Sequence, residues 1–282
     1  MGTRNRKEEK MNLGLEGSVA FITGASKGIG KQCARVLAEE GCTVVITARG
    51  QELLEKTAQE LSDATGQKIV PIVGDMSKAE EVERAVAEAV DTLGRIDVLV
   101  TCAGSSPGGL LEELTEDDWF GSLNLKLMGY VRACRAVLPR MKEQGSGSVV
   151  LVVGNDGLKP SYWETTAGVA NAADINFASA MAEQYGPFGV RINTVNPGPV
   201  NTDRWAGLEE AFARDKGVSR ERAHQLTIQS LPLKRICEPE EVANVVGFLV
   251  SPRASYVHGH HVLVDGGQRK ALMDMWTEGK EG

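Results

Sequence analysis

Residues 23–30 read TGASKGIG, and the architecture of the chain follows from them. An apolar run, Val19 to Ile22, precedes this stretch, and a helical pattern that includes Cys33 follows it. Three glycines therefore stand where a strand turns into a helix, and glycine adopts positive φ and lets a ligand approach the backbone closely. The start of a helix offers unpaired N–H groups and a positive dipole end to a phosphate. We interpret the stretch as a dinucleotide pyrophosphate site; a tight turn without a ligand is the alternative.

Length and composition narrow the class of protein. The 282 residues suffice for one large α/β domain, and the 42% of hydrophobic residues is typical of a globular protein. The net charge of -7 gives no general attraction to nucleic acid or to an anionic membrane, and no apolar run is long enough to span a bilayer. The five cysteines form no Cys-x-x-Cys pair, which favours buried thiols in a reducing, cytoplasmic setting.

The ends of the chain differ from its body. Residues 1–12 are charged and contain no apolar segment, so we expect a mobile leader and no secretory signal. Residues 13–282 contain no repeat, no low-complexity stretch and no obvious linker, which predicts one domain.

Apolar runs alternate with helical patterns from Ser18 to Val195. This alternation predicts an α/β fold, a single doubly wound parallel-sheet (Rossmann) domain of about seven strands with helices on both faces. A segment at 203–229 is predicted to be helical, polar and irregular, a lid over the substrate. The strands predicted after the first are Thr43–Thr47, Ile69–Val73, Val98–Thr101, Ser148–Val153, Val190–Val195 and His261–Val264. The main predicted helices are Gln51–Ala64, a long one capped by Thr115 and Asp118 that reaches toward Pro139, Ala167–Tyr185 and Pro239–Val250.

Several motifs recur in a familiar order along the chain. The glycine loop is followed by Asp75, by Cys102-Ala103-Gly104, by Asn124, by Pro197-Gly198 with Thr202, and by Asp265-Gly266-Gly267. In order and spacing these motifs resemble the short-chain dehydrogenase/reductase family over nearly the whole chain after the leader. The resemblance implies a nicotinamide-dependent oxidoreductase with a small-molecule substrate, usually a homotetramer or homodimer, with no nucleic-acid or membrane partner.

The resemblance also implies where the cofactor lies. Within the family, Asp75 would contact the adenine, Ala103 and Gly104 would pass beside the ribose, and Thr202 would hold the carboxamide. The full set of implied cofactor-binding residues is Gly24, Ser26, Lys27, Gly28, Ile29, Gly30, Arg49, Asp75, Met76, Cys102, Ala103, Gly104, Asn171, Pro197, Gly198, Val200 and Thr202.

The end of the second predicted strand bears on the choice between the two nicotinamide cofactors. A carboxylate there would bind the adenosine ribose diol and repel a 2′-phosphate, but the stretch reads Thr47-Ala48-Arg49. Arg49 offers a planar fork suited to phosphate, and Lys27 adds a second positive charge. We therefore expect NADP(H) to be preferred; if both charges are merely solvated, NAD(H) is the alternative.

One part of the family pattern is altered. The family's reductases use a serine after the fifth strand and Tyr-x-x-x-Lys on the next helix, where the tyrosine donates a proton as hydride is delivered. Alignment backward from the stretch at 189–191 needs no gap and places Gly154 at the serine, Ala167 at the tyrosine and Asn171 at the lysine. Asn124 stands at the family's fourth catalytic position. The resemblance therefore implies an atypical member with an altered proton relay.

Candidates for the altered relay lie in the loop before the predicted helix. We take Asn124, Tyr162 and Asp156 as candidate catalytic residues, because proton transfer needs a titratable group within hydrogen-bond reach. Each has a plainer interpretation: Asn124 as a helix residue bonded to backbone, Tyr162 as a substrate wall or surface aromatic, Asp156 as a solvated turn residue.

Three functions stay open at this point. The first is a reductase or dehydrogenase acting on a carbonyl, alcohol or enoyl-type substrate. The second is an NADP-binding but redox-inactive regulatory or partner subunit. The third is a lyase or hydratase that uses Asp156, Tyr162 or Glu164 as acid and base. We predict no metal site, because His258 and His260 have no carboxylate or cysteine near them in sequence.

Overall fold

Seven parallel strands form one sheet in the computed structural model, which describes residues 12–269. Their spatial order is β3-β2-β1-β4-β5-β6-β7. This confirms the predicted doubly wound sheet, and the predicted leader lies outside the described residues except for Asn12. The strands are β1 Val19–Thr23, β2 Thr43–Ala48, β3 Ile69–Val73, β4 Val98–Thr101, β5 Gly147–Val152, β6 Val190–Pro197 and β7 His261–Val264.

Helices cover both faces of the sheet. Helices α1, α2 and α9 pack on one face and α3, α5 and α6 on the other, so each face has its own apolar core. No helix within residues 12–269 combines the length and apolarity needed to cross a bilayer. The helices are α1 Gly28–Glu39, α2 Gln51–Thr65, α3 Ala79–Leu93, α4 Glu116–Ser122, α5 Met128–Gln144, α6 Thr165–Tyr185, α7 Asp203–Lys216, α8 Arg220–Ser230 and α9 Pro239–Val250.

The first strand shows why the sheet needs both layers. Side chains alternate across a strand, so Ala20 and Ile22 enter the core under α1 and α9, while Phe21 enters the core under α3 and α5. All three residues are fully buried. A continuous apolar run of this kind is typical of a parallel strand with both faces covered.

The glycine loop is packed backbone against backbone. Gly24 has φ +66°, and a Cβ added there would lie 2.7 Å from the backbone nitrogen of Ala103. A Cβ added at Gly30 would overlap the carbonyl oxygen of Gly24. The loop therefore brings β1, the start of α1 and the end of β4 together at the point where the strand order reverses, and ligands bind at such a switch point.

Two of the predicted helices are interrupted. The predicted cap is confirmed, because the Thr115 hydroxyl accepts a hydrogen bond from the backbone N–H of Asp118. The helix that follows changes into a π-helical segment, Leu123–Leu127, before α5 begins. The lid segment is also two helices, because Gly217 takes a left-handed conformation with φ +65° and ends α7.

Candidate active site

A groove of about 840 Å³ runs along the carboxyl edge of the sheet, across the ends of β1, β2, β3 and β4. Most of the residues that the resemblance assigned to the cofactor line it, which brings segments far apart in sequence to one surface. These residues are Gly24, Ser26, Lys27, Gly28, Ile29, Gly30, Arg49, Asp75, Met76, Cys102, Ala103, Gly104 and Thr202.

The groove offers what a phosphate needs at the start of α1. No side chain caps this helix at Lys27, and its first turn contains no acidic residue, so its first N–H groups are left for a ligand. Gly28 has φ +57°, a backbone conformation that other residues rarely adopt. Together with the glycine packing described above, these features fit a dinucleotide pyrophosphate.

The two cations predicted to select the cofactor are both exposed beside the groove. Arg49 stands at the end of β2, where its charge acts on Asp75. The ammonium of Lys27 lies 3.7 Å from the carboxylate of Asp203 at the start of α7. Asp75 itself accepts hydrogen bonds from the backbone N–H and the hydroxyl of Ser77, at 2.9 and 2.8 Å.

A smaller cavity of about 170 Å³ adjoins the groove, and Gly104 and Thr202 line both. The remaining residues assigned to the cofactor, Asn171, Pro197, Gly198 and Val200, line this cavity and not the groove. Its charged lining comes from four separate elements: Lys126 from the π-helical segment, Asp156 from a 3-10 turn at Asn155–Gly157, Glu164 from the N-terminal end of α6 and Arg204 from α7.

Gly154, Asp156 and Asn171 form one interlocking unit. The side-chain amide of Asn171 donates a hydrogen bond to the Asp156 carboxylate, and both side chains are buried. A Cβ added at Gly154 would lie 2.5 Å from that amide nitrogen and would overlap the carboxylate. The pair therefore occupies the space that a side chain at position 154 would need.

Lys126 is a buried cation in the wall of this cavity. It is 7% exposed, and its aliphatic stem covers the backbone of Gly104, where an added Cβ would lie 3.4 Å from its Cγ. Burial lowers the pKa of the Lys126 ammonium, and the nearby carboxylate of Asp156 opposes that shift. Its amine makes no hydrogen bond with any residue between 12 and 269.

Glu164 titrates near neutrality. Burial at the cavity raises its pKa to about 7; the negative charge of Asp156 adds to the shift, and Arg204 and Lys126 oppose it. Both protonation states of this carboxyl are therefore populated near neutral pH. A group that gains and loses a proton near the working pH is suited to general acid and base chemistry.

Asn124 lines neither the groove nor the cavity. Its side chain is exposed, and its amide oxygen accepts a hydrogen bond of 2.6 Å from Arg132. The π-helical segment changes the register of the helix, so that Lys126 faces inward instead. The sequence did carry a signal for Lys126, because it is the one charged residue in the apolar stretch Leu123–Met128.

Tyr162 also lies away from the cavity. Its hydroxyl accepts a hydrogen bond of 2.9 Å from Lys216, and its ring packs beside Trp163, outside the lining of both the groove and the cavity. A different phenol, Tyr130 on α5, lines the cavity and donates a 2.7 Å hydrogen bond to the carbonyl oxygen of Val152. Sequence reasoning missed Tyr130 because the uninterrupted helix gave no reason to orient it. Of the three predicted catalytic residues, only Asp156 lies in the cavity.

His258, which precedes β7, makes two hydrogen bonds with backbone atoms. The Nδ1 atom of His258 accepts a hydrogen bond from the backbone N–H of Ile192 at 3.1 Å, and its Nε2 donates to the carbonyl of Ala182 at 3.0 Å. These contacts tie β6 to α6 through the imidazole ring.

Comparison with known proteins gives consistent matches over almost the whole chain. The family model described as enoyl-(acyl carrier protein) reductase matches residues 24–269. The 3-oxoacyl-(acyl-carrier-protein) reductase of Chlamydia muridarum is 33% identical over 257 residues, which cover 91% of this chain and 99% of that protein.

Solved structures show the same architecture with both nicotinamide cofactors. A variant of actinorhodin polyketide ketoreductase with NADPH has a TM-score of 0.87 and 32% identity, covering 89% of this chain and 97% of that one. NAD+-bound xylitol dehydrogenase has a TM-score of 0.87 and 26% identity, covering 90% of this chain and all of that one.

Proposed function

The chain belongs to the short-chain dehydrogenase/reductase family, and we propose that it is an NADP(H)-dependent oxidoreductase with an altered proton relay. Its substrate in this proposal is a small molecule of the carbonyl/alcohol or enoyl type. The observation that carries the proposal is the charged cavity that adjoins the cofactor groove at Gly104 and Thr202. That cavity contains titratable side chains at the place where a nicotinamide ring at the end of the groove would meet a substrate.

In this proposal the cofactor and the residues of the chain have separate roles. A nicotinamide cofactor, when bound, supplies or accepts the hydride. The glycine loop holds its phosphates through the N–H groups at the start of α1. Glu164, with a pKa of about 7, gives a proton to the substrate in reduction and takes one in oxidation. Asp156, held by Asn171, keeps negative charge beside Glu164 and so helps to keep its pKa near neutrality.

The preference for NADP(H) is supported by charge at the end of β2. Arg49 is exposed there, and none of the residues Thr47, Ala48 and Arg49 carries a carboxylate that would repel a 2′-phosphate. Direct comparison of the NADPH and NADH dissociation constants tests this part of the proposal.

The redox reaction is tested by mixing the protein with NADPH and a panel of ketoses, quinones, 3-oxoacyl thioesters and enoyl thioesters. We expect loss of NADPH absorbance with at least one class. For that substrate, kcat/KM for reduction should fall as the pH rises through about 7, because the protonated form of Glu164 is the donor. Glu164→Gln should lower kcat/KM on the order of 100-fold and remove the titration near neutrality.

Glu210→Gln, on the exposed surface of α7, is the matched control and should keep both the rate and the pH profile. Two results would contradict the proposal. Saturable NADPH binding without turnover of any substrate would indicate a redox-inactive subunit. Turnover that does not need the cofactor would indicate a lyase or hydratase.

A further inference from the structure

We propose that Lys126 is a catalytic residue that donates a hydrogen bond to the substrate oxygen on which negative charge develops. The inference rests on the proposed function, because it concerns the same cavity, and it adds a cation to the relay of Asp156 and Glu164. Three observations carry it: the backbone segment in which Lys126 is buried, the contact between its stem and Gly104, and the lack of a hydrogen bond at its amine.

The backbone at Lys126 is unusual. The residue lies within a five-residue π-helical segment between two α-helices, and such segments are frequently found at functional sites. A regular helix would carry the long side chain elsewhere on its surface. Here the wider turn leaves Asn124 exposed and buries Lys126.

The stem of Lys126 lies beside the junction of groove and cavity. A Cβ added at Gly104 would lie 3.4, 3.5 and 3.7 Å from its Cγ, Cδ and Cε, so the stem lies along this backbone. Gly104 lines both the groove and the cavity, and Lys126 lines the cavity. A substrate oxygen beside the reacting carbon belongs at this junction.

The Lys126 side chain is more than nine-tenths buried, and its amine, in the wall of the cavity, makes no hydrogen bond with another residue in 12–269. A cation in a largely buried side chain is stabilised when an acceptor enters the cavity that it lines. The charges facing it are Asp156, Glu164, Asp174 and Arg204. Asp156 already accepts from Asn171, and burial raises the pKa of Glu164 to about 7 and that of Asp174 to about 8. An oxygen that gains negative charge is therefore the acceptor this ammonium lacks.

In reduction of a carbonyl substrate, the carbon gains a hydride from the reduced nicotinamide cofactor, which is thereby oxidised. The electron pair of the C=O π bond moves to the oxygen. Lys126 stabilises that oxyanion through its hydrogen bond, and Glu164 transfers the proton that completes the alcohol. A preorganised donor aimed at developing charge is among the largest contributions to enzymatic rate.

The test compares Lys126→Met and Lys126→Arg with the wild-type protein. Methionine keeps the stem and removes the charge, so kcat/KM for the carbonyl substrate should fall on the order of 100- to 1000-fold. The NADPH dissociation constant should stay within about threefold, because the cofactor phosphates bind elsewhere. Lys126→Arg restores a donor and should recover part of the lost rate. Lys56→Met, an exposed residue on α2, is the control and should leave kcat/KM unchanged.

A second readout needs neither cofactor nor turnover. Propionate is titrated into the protein by calorimetry at about pH 6, where Glu164, with its pKa of about 7, is mostly protonated and repels the anion less. Lys126→Met should weaken propionate binding about tenfold, whereas Lys126→Arg and Lys56→Met should retain it. Thermal unfolding of each variant shows whether it is folded; if Lys126→Met is not, Lys126→Gln takes its place.

Wild-type kcat/KM together with wild-type propionate affinity in a folded Lys126→Met protein would overturn the assignment. An equal loss of NADPH affinity, propionate affinity and thermal stability would also overturn it, because Lys126 would then serve packing only. The proposed function fails in a different way: the wild-type protein turns over no substrate, while propionate binding still depends on Lys126.

Discussion

The groove in which we propose that the cofactor binds and the cavity beside it are built in opposite ways. At the start of α1 the groove is formed mainly by backbone atoms. Residues 23–30 make a contiguous loop there, and its shape depends on glycines. The cavity is side chains, assembled from the π-helical segment, the 155–157 turn and the ends of α6 and α7. A site made of contiguous backbone depends on a few residues that permit no substitution. A site made of distant side chains depends on how they pack and share charge.

The largest effect is expected in the groove. Gly30→Ala should weaken NADPH binding on the order of 100-fold or more, because its Cβ would overlap the carbonyl oxygen of Gly24 and displace the loop. Fluorescence titration with NADPH measures the loss, and circular dichroism shows whether the fold persists. Gly121→Ala has open space around the added methyl group and is the control. Wild-type affinity in Gly30→Ala would mean that the loop is not rigid.

The next effect tests the interlocking unit of the cavity. Gly154→Ser should lower the free energy of unfolding by about 1–3 kcal/mol, because the new side chain competes with Asp156 and Asn171 for space. In an Asp156→Ala background the same substitution should cost less, and the double-mutant cycle measures the difference. An equal loss of unfolding free energy on Gly154→Ser in the two backgrounds would show that residue 154 does not compete with Asp156 for space. Gly121→Ser, in open space, is the control for the serine itself.

A smaller effect concerns Asp174 on α6, which is fully buried and makes no hydrogen bond at either carboxylate oxygen with any residue in 12–269. Burial raises its pKa to about 8 in the folded protein, against about 3.9 for an unfolded chain. The folded state therefore binds the extra proton, and stability falls as the pH rises from about 4 to about 8.

Asp174→Asn removes that titration. We expect it to raise the free energy of unfolding at pH 8 by about 1–2 kcal/mol, with the gain disappearing toward pH 4. Denaturant unfolding across this pH range measures it. Asp91→Asn, exposed on α3, should show no such trend. A gain that is the same at every pH would contradict the raised pKa.

The smallest expected effect is on cofactor affinity and concerns Arg49 beside the groove. Arg49→Gln should weaken NADPH binding about tenfold and leave NADH binding nearly unchanged, because only the phosphorylated cofactor uses the guanidinium. Paired dissociation constants for the two cofactors measure it. A parallel loss for both would show that Arg49 acts on the groove as a whole and not on the 2′-phosphate.

Sequence patterns predicted the scaffold closely. The predicted strands Thr43–Thr47 and Val98–Thr101 match β2 and β4 within one residue, because burial on both faces demands continuous apolar runs. The interruption at Leu123–Leu127 was not predicted, because this segment was taken as part of one long helix that reaches toward Pro139. In that segment the candidate Asn124 is exposed, whereas Lys126, which was not a candidate, lies in the wall of the cavity.

Tyr162 and Glu164 also differ between what the sequence predicted and what the structure shows. Tyr162 was chosen for its position in the loop, but contacts with Lys216 and with the cluster around Trp163 hold it outside the cavity. Glu164, considered only for a lyase, titrates near neutrality because of burial and because Asp156 is close. The sequence neighbours of a residue determine neither the orientation of its side chain nor the extent to which that side chain is desolvated.

Sequence alone was enough for the parallel sheet, for the glycine loop and for the sheet edge at which the predicted site segments meet, because each follows from local rules of burial, backbone conformation and strand direction. Tertiary structure alone decided which charges meet in the cavity: Lys126 and Glu164 are 38 positions apart in the printed sequence and yet act on one another's ionisation. The physical reason is that the two kinds of interaction act over different separations along the sequence. Backbone geometry is set by neighbouring residues, whereas electrostatics and desolvation depend on distances that exist only after the chain has folded.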